Sequence, residues 1–155
     1  MKSAVTTVIT AADAAGRFPD ISDLKAVKAS LDRAAARMEA AEKLASGIDN
    51  VTADALKAVY SDGKYDLATR DKCARDINHY LRLINYCLIA GSTGPLDEWG
   101  IAGVREVFRT LGIPTSAYIE AFSYIRERVC VPRDMDQQAA DEFKDLLNYL
   151  INALS

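Results

Sequence analysis

Apolar residues recur at steps of three and four along most of the chain, a spacing that predicts helices throughout. One stripe runs through Leu24, Val27, Leu31, Ala34, Met38, Ala41 and Ala45. Pro19 and the Ser22/Asp23 pair supply its start and Gly47 its stop. Upstream, residues 5–15 form a separate short helix ending at Gly16, oily for its length. Val5, Val8 and Ile9 are expected to present an apolar face to a partner there. Residues 52–60 make a weaker helix, closed by Ser61-Asp62-Gly63. The sharpest pattern spans residues 70–90, with Ile77, Tyr80, Leu81, Ile84 and Leu88, and Gly91-Ser92-Thr93-Gly94-Pro95 breaks it. Residues 96–111 follow with Ile101, Val104, Phe108 and Leu111. Then come residues 116–128 behind Pro114, carrying Tyr118, Phe122 and Ile125, with Val129 just beyond. A loop over residues 130–134 leads to the last helix, striped by Phe143, Leu146, Leu147, Leu150 and Leu154. No strand-like alternation, repeat or low-complexity tract appears. The pattern predicts an all-α fold, a globin-type helical bundle packed by ridges into grooves, with an N-terminal helical extension.

Composition narrows the picture. The 155 residues, 50% hydrophobic, suit a single domain over 1–155 with residues 1–20 as the extension. Lys and Arg number 19 against 22 Asp and Glu, and no basic stripe occurs, so no nucleic-acid partner is expected. The longest apolar run is about five residues, far short of a membrane span. The N-terminus lacks a cleavage signal, so a soluble intracellular chain is expected.

Three cysteines at 73, 87 and 130, widely spaced and without a CxxC pair, argue against a disulfide framework or a zinc site. The single His79 removes most triad and metal-cluster chemistry. Cys73 opens Cys-Ala-Arg75-Asp76 and Cys130 opens Cys-Val-Pro-Arg133-Asp134. A thiolate can add to a vinyl-type carbon of a ligand, an Asp one turn away can accept from ligand N–H groups, and an Arg can pair with a ligand carboxylate. A linear tetrapyrrole presents all three. With Cys73 at zero on a 100° wheel, the stripe from Ile77 to Leu88 lies within about 80° of it and Asp76 about 60° to the other side. Arg75 points well outward. A cysteine on an apolar face is commonly just a small buried hydrophobe, and Arg-Asp pairs are common on helices. The motifs alone leave both readings open. Cys87, among Tyr86, Leu88 and Ile89, fits the inert reading, because burial starves a thiol of thiolate. Trp99 and the tyrosines at 80, 86 and 118 read as core or interface aromatics.

The stretch KCARDINHYLRLINYCLIAG, followed by STGPLDEWGIAG, resembles the central signature of phycobiliprotein α subunits. MKSAVTTVITAADAAGRFP at the front and NYLINALS at the end are similar to the same family, so the resemblance covers nearly the whole chain. CVPRDM is similar to the second site of phycoerythrin α subunits. The resemblance implies a globin-like fold whose N-terminal helical pair docks on a β subunit. It implies bilins, phycoerythrobilin and/or phycourobilin, two per chain, on Cys73 and Cys130. Asp76 would bind the inner pyrrole nitrogens and Arg75 and Lys72 the propionates, with Arg133 and Asp134 in the matching roles at Cys130. It further implies αβ rings stacked with linker proteins, a bilin lyase for attachment, and a place on the cytoplasmic (stromal) side of the thylakoid. The function implied is light harvesting, with no enzymatic chemistry. Two features depart from the family pattern: residues 51–70 are shorter than usual, and Ser46-Gly47 stands where amides are expected. The rivals are a globin-like haem or bilin sensor, with haem near His79, and a pigment-free helical interaction module.

Overall fold

The computed structural model describes residues 3–110, 112–128 and 135–155. Among these residues the regular structure is entirely helical, and the fold is the all-α, globin-like class that the periodicity predicts. Helix α1 (Ala4–Ala14) begins where the Ser3 hydroxyl accepts the Thr6 N–H at 3.1 Å. Helix α2 (Ile21–Asp32) opens on a reciprocal cap. Asp20 accepts from the Ser22 and Asp23 N–H groups, and Asp23 accepts the Asp20 N–H at 2.9 Å. These caps satisfy amides that a helix start would otherwise leave unpaired.

α1 packs on α2 and buries Val8 and Ala12, while α2 itself has no buried residue. Phe18 is 92% and Ile21 74% exposed, and Val5, Ile9, Leu24 and Leu31 are exposed beside them. The apolar face expected of the N-terminal segment is therefore present, with one correction. Val5 and Ile9 lie four residues apart and share the outer face, whereas Val8 points inward.

Helix α3 (Ala34–Tyr60) departs from expectation. The predicted helix over 24–45 is divided at Arg33, where no glycine or proline marks a break, and α3 then runs straight through Gly47 to absorb the helix expected at 52–60. A helical glycine costs only about 1 kcal/mol relative to alanine. Leu44 before Gly47, and Thr52, Ala55, Leu56 and Val59 after it, are buried against the rest of the molecule and outweigh that cost.

Residues 61–69 link α3 to α4 (Arg70–Ala90) and include a 3-10 turn at Leu67–Thr69. α4 stops at Gly91, whose left-handed φ of 61° closes the helix through N–H bonds back to its last turn. A side chain at this position would meet the buried Arg37 guanidinium at 3.0 Å.

The single helix predicted over 96–111 is instead broken. A short turn, α5 (Gly94–Leu96), passes into a wide π-helical stretch, Asp97–Ile101, and then into α6 (Val104–Thr110). This stretch packs closely on α4. The Tyr80 hydroxyl donates to the Gly100 carbonyl at 3.1 Å, and a Cβ on Gly100 would lie 2.8 Å from Leu83. Trp99, expected in the core or at an interface, is exposed on this stretch.

α7 (Ser116–Arg128) and α8 (Gln137–Leu154) complete the bundle. One core joins α3, α4, α6, α7 and α8, with Phe122, Phe143, Ile77, Leu81, Ile84, Leu147 and Leu150 at its centre. None of the described helices is long and apolar enough to cross a membrane.

Gly100→Ala tests the close packing of this stretch on α4. Overpacking against Leu83 and Tyr80 should cost about 1–3 kcal/mol in urea denaturation, and an unchanged midpoint would show that the two elements do not meet there.

Candidate functional site

The phase of α4 decides which side chains meet. Cys73 faces inward with Ile77, Tyr80, Leu81 and Ile84 and is only 2% exposed. It forms part of the wall of a cavity of about 410 Å³. α4 supplies Lys72, Cys73 and Asp76; α7 supplies Ala117 and Tyr118; α3 supplies Tyr60; and the 61–69 link supplies Tyr65 and Thr69. The remaining wall is the turn Gly112-Ile113-Pro114. Gly112 sits at φ +63°, a left-handed conformation that turns the chain out of α6 and delivers Pro114 to α7.

Asp76, half-buried at the edge of the apolar stripe, accepts the Tyr118 hydroxyl at 2.8 Å. Burial, reinforced by that bond and the Asp76 charge, pushes the Tyr118 phenol far above its ordinary value. Burial and the same charge raise Tyr80 to about 12. Tyr118 is therefore a donor at physiological pH and holds the carboxylate at the cavity.

The link is fastened on the other side. The Tyr65 hydroxyl donates to Glu120 of α7 at 2.9 Å, and the Lys64 ammonium pairs with the same carboxylate. Lys64 also lies 5.0 Å from the centre of the Tyr65 ring, which in turn packs 5.9 Å from Tyr60. The bond to Glu120, helped by Tyr65, raises Lys64 to about 12, and Lys64 holds the Glu120 carboxyl below its ordinary range.

Of the residues singled out in the sequence, the structure brings Lys72, Cys73 and Asp76 together. Arg75 lies elsewhere. It lines a cleft of about 650 Å³ between α3 and α4, beside Ile48, His79, Arg82 and Tyr86. The helical step explains this, because Arg75 is about 160° from Cys73 around α4. In that cleft Arg82 Nη2 lies 3.2 Å from His79 Nδ1, so one imidazole nitrogen faces a guanidinium. Cys130, Arg133 and Asp134 lie outside the described residues.

Burial does not distinguish the two described cysteines. Cys87 is 1% exposed against 2% for Cys73. Desolvation, the largest influence on each, raises both thiols to about 11. The distinction is spatial: Cys73 lines the cavity with a carboxylate, and Cys87 lines neither cavity. Sequence reasoning did not single out Tyr60, Tyr65 or Thr69, and it read Tyr118 as a core or interface aromatic. Their meeting depends on how α3 and α7 cross α4, for which no local signal exists.

A thiol and a carboxylate on one cavity wall can respectively form a thioether and accept N–H groups. The chain belongs to the phycobilisome protein family, which it matches over residues 7–154. It is similar to the C-phycoerythrin class 1 subunit alpha of Synechococcus sp. (strain WH7803), 60% identical over 164 residues with all of both chains covered. The R-phycoerythrin alpha chain of Pyropia tenera is 56% identical and the C-phycoerythrin alpha chain of Microchaete diplosiphon 58%, each likewise over 164 residues with full coverage of both chains.

With both thiols raised to about 11, the thiolate fraction should grow about tenfold per pH unit from neutrality upward, without the plateau near 9 of an ordinary thiol. Iodoacetamide labelling of the pigment-free chain, read cysteine by cysteine, checks this. Cys73 should react well before Cys87, because only Cys73 opens on the cavity. Equal rates would remove the distinction between them.

Proposed function

We propose that the chain is a phycoerythrin-like α subunit that carries two bilins, one on Cys73 and one on Cys130, and passes absorbed green or blue-green light to neighbouring pigments. The observation that carries the reading is the meeting of Cys73, Asp76 and Lys72 on one cavity wall. A bilin anchored by a thioether at Cys73 lies along the groove between α4 and α7. Asp76 accepts its inner pyrrole N–H groups, and Lys72 pairs with a propionate. Arg75 reaches a propionate only where the pigment bends over the exposed side of α4. At the second site Cys130 is the anchor, with Arg133 and Asp134 as its partners.

The pigment supplies the photophysics, and the protein supplies position and electrostatics. A free bilin twists and loses its excitation as heat. A carboxylate beside the pyrrole nitrogens favours the protonated, positively charged pigment, since an opposite charge stabilises the charged form. Tyr118 holds that carboxylate at 2.8 Å and limits its motion. The protein carries out no catalysis in this reading, and a lyase selects which bilin isomer each cysteine receives.

The outer apolar residues Val5, Ile9, Phe18, Ile21, Leu24 and Leu31 form the docking face for a β subunit. The αβ unit then closes into rings that stack with linker proteins, on the cytoplasmic (stromal) side of the thylakoid. Sedimentation of native material should find an αβ complex, and a lone α chain at micromolar concentration would contradict this docking.

Peptide mapping tests the pigment count. Coloured peptides should contain Cys73 and Cys130 and never Cys87; a bilin on Cys87, or a colourless Cys130 peptide, would refute the two-site reading. Asp76→Asn should keep the pigment attached while its band shifts to the blue or broadens and its fluorescence drops. An unchanged spectrum and quantum yield would remove Asp76 from the tuning role.

A further inference from the structure

The hydroxyls of Tyr60 and Thr69 form a short relay on the cavity wall that carries Cys73. Tyr60, the last residue of α3, is buried, and its hydroxyl lies 3.1 Å from Thr69 Oγ1. Thr69 has one hydroxyl proton and donates it to the Asp66 carbonyl at 2.7 Å. The Tyr60–Thr69 bond therefore runs one way: Tyr60 donates and Thr69 accepts. The phenol oxygen keeps its lone pairs for its neighbour on the cavity wall, the Cys73 thiol. A thiol S–H can donate to them. A thiolate gains no donor from Tyr60 until the Tyr60 proton swings away from Thr69.

We propose that Tyr60 is the positioning residue that sets the reactivity of Cys73 during pigment attachment, by turning its O–H from Thr69 to the forming thiolate. Thr69 is the acceptor that holds this proton back in the resting chain. The proposal rests on Cys73 being a bilin attachment site. In attachment, the sulfur forms a bond to an exocyclic alkene carbon of the pigment, and the C=C π pair moves to the adjacent carbon. A proton equivalent to the one lost by the thiol ends on that carbon. Nothing is oxidised or reduced, and Tyr60 keeps its own proton throughout. A hydrogen bond to an ion is stronger than one between neutral groups, so ionisation of the thiol itself drives the swing.

The surroundings leave this role to Tyr60. The polar groups that share the cavity wall with the thiol are Asp76 and Lys72 from α4, Tyr118 from α7, Tyr65 and Thr69 from the link, and Tyr60 from α3. Burial disfavours the thiolate most; Tyr60 favours it, and the Asp76 charge opposes it. Burial also raises the Tyr60 phenol, which keeps it a donor.

The test uses the full-length pigment-free chain, alkylated with iodoacetamide across about pH 7–10, with each cysteine quantified by peptide mass spectrometry and folding checked by circular dichroism. Tyr60→Phe should slow Cys73 roughly tenfold and move its pH profile upward. Thr69→Val frees the Tyr60 proton, so it should speed Cys73 and move the profile downward. Cys87, in the same samples, should hold its rate in both variants. A merely structural role predicts that both variants shift Cys73 in the same direction. That result, or an unchanged rate in either variant, overturns the proposal. Should Tyr60→Phe not fold, Thr69→Val decides alone: only an accelerated Cys73 sustains the relay. Whether Cys73 carries a bilin is read separately, from the coloured peptides, so the relay and the pigment assignment can fail independently.

Discussion

The 100° step of α4 is the constraint on which the other features depend. Its inward residues, Cys73, Ile77, Tyr80, Leu81, Ile84 and Leu88, are buried where α4 packs on α3, α7 and α8, and they fix the rotation of the helix in the bundle. A fixed rotation leaves little choice for the rest. Asp76 falls at the edge that faces α7 and meets Tyr118, while Arg75, His79 and Arg82 face the cleft on the far side. A one-residue change of phase would bury a charge and expose the core, at a cost far above what any surface ion pair could return. The thiol is thus placed by hydrophobic packing, and the polar contacts refine a position already set.

Packing also imposes a chemical penalty. Burial raises the Cys73 thiol to about 11, which leaves little thiolate at neutral pH. Cys87 is raised equally, so reactivity cannot come from depth. Any difference in reactivity between the two has to come from space and from donors. The cavity provides the space, and the link over residues 61–69 borders it, held by Tyr65 and Lys64 on Glu120. α7 therefore acts twice, through Tyr118 on the carboxylate and through Glu120 on the link, and couples the two walls of the cavity.

The sequence revealed α1, α4, α7 and α8 because each pairs a clear apolar stripe with a recognisable stop or start, such as Gly91 or Pro114. It misled at Gly47, where the local cost of glycine is smaller than the burial of Leu44 and Ala55 around it. It misled again at residues 96–111, where the helix is widened and Gly100 leaves no room for a Cβ against Leu83, a closeness invisible to periodicity. The site was legible along one helix and hidden between helices. Cys73 and Asp76 could be paired because α4 alone relates them. Tyr60, Thr69 and Tyr118 could not be added, because they join the site only through the crossing of α3 and α7 on α4. Arg75 shows the converse: the family resemblance grouped it with Cys73, while the helical wheel already turned it outward, and it lines another cleft.

Covalent pigment on a cysteine is the central claim, and the visible spectrum of native protein unfolded in acid tests it most directly. Unfolding removes every effect of Asp76, Tyr118 and the cavity, and only a covalent chromophore stays with the chain. The account predicts a visible bilin band that persists in acid and does not extract into organic solvent. A colourless chain, or a Soret-absorbing pigment that extracts, would contradict it.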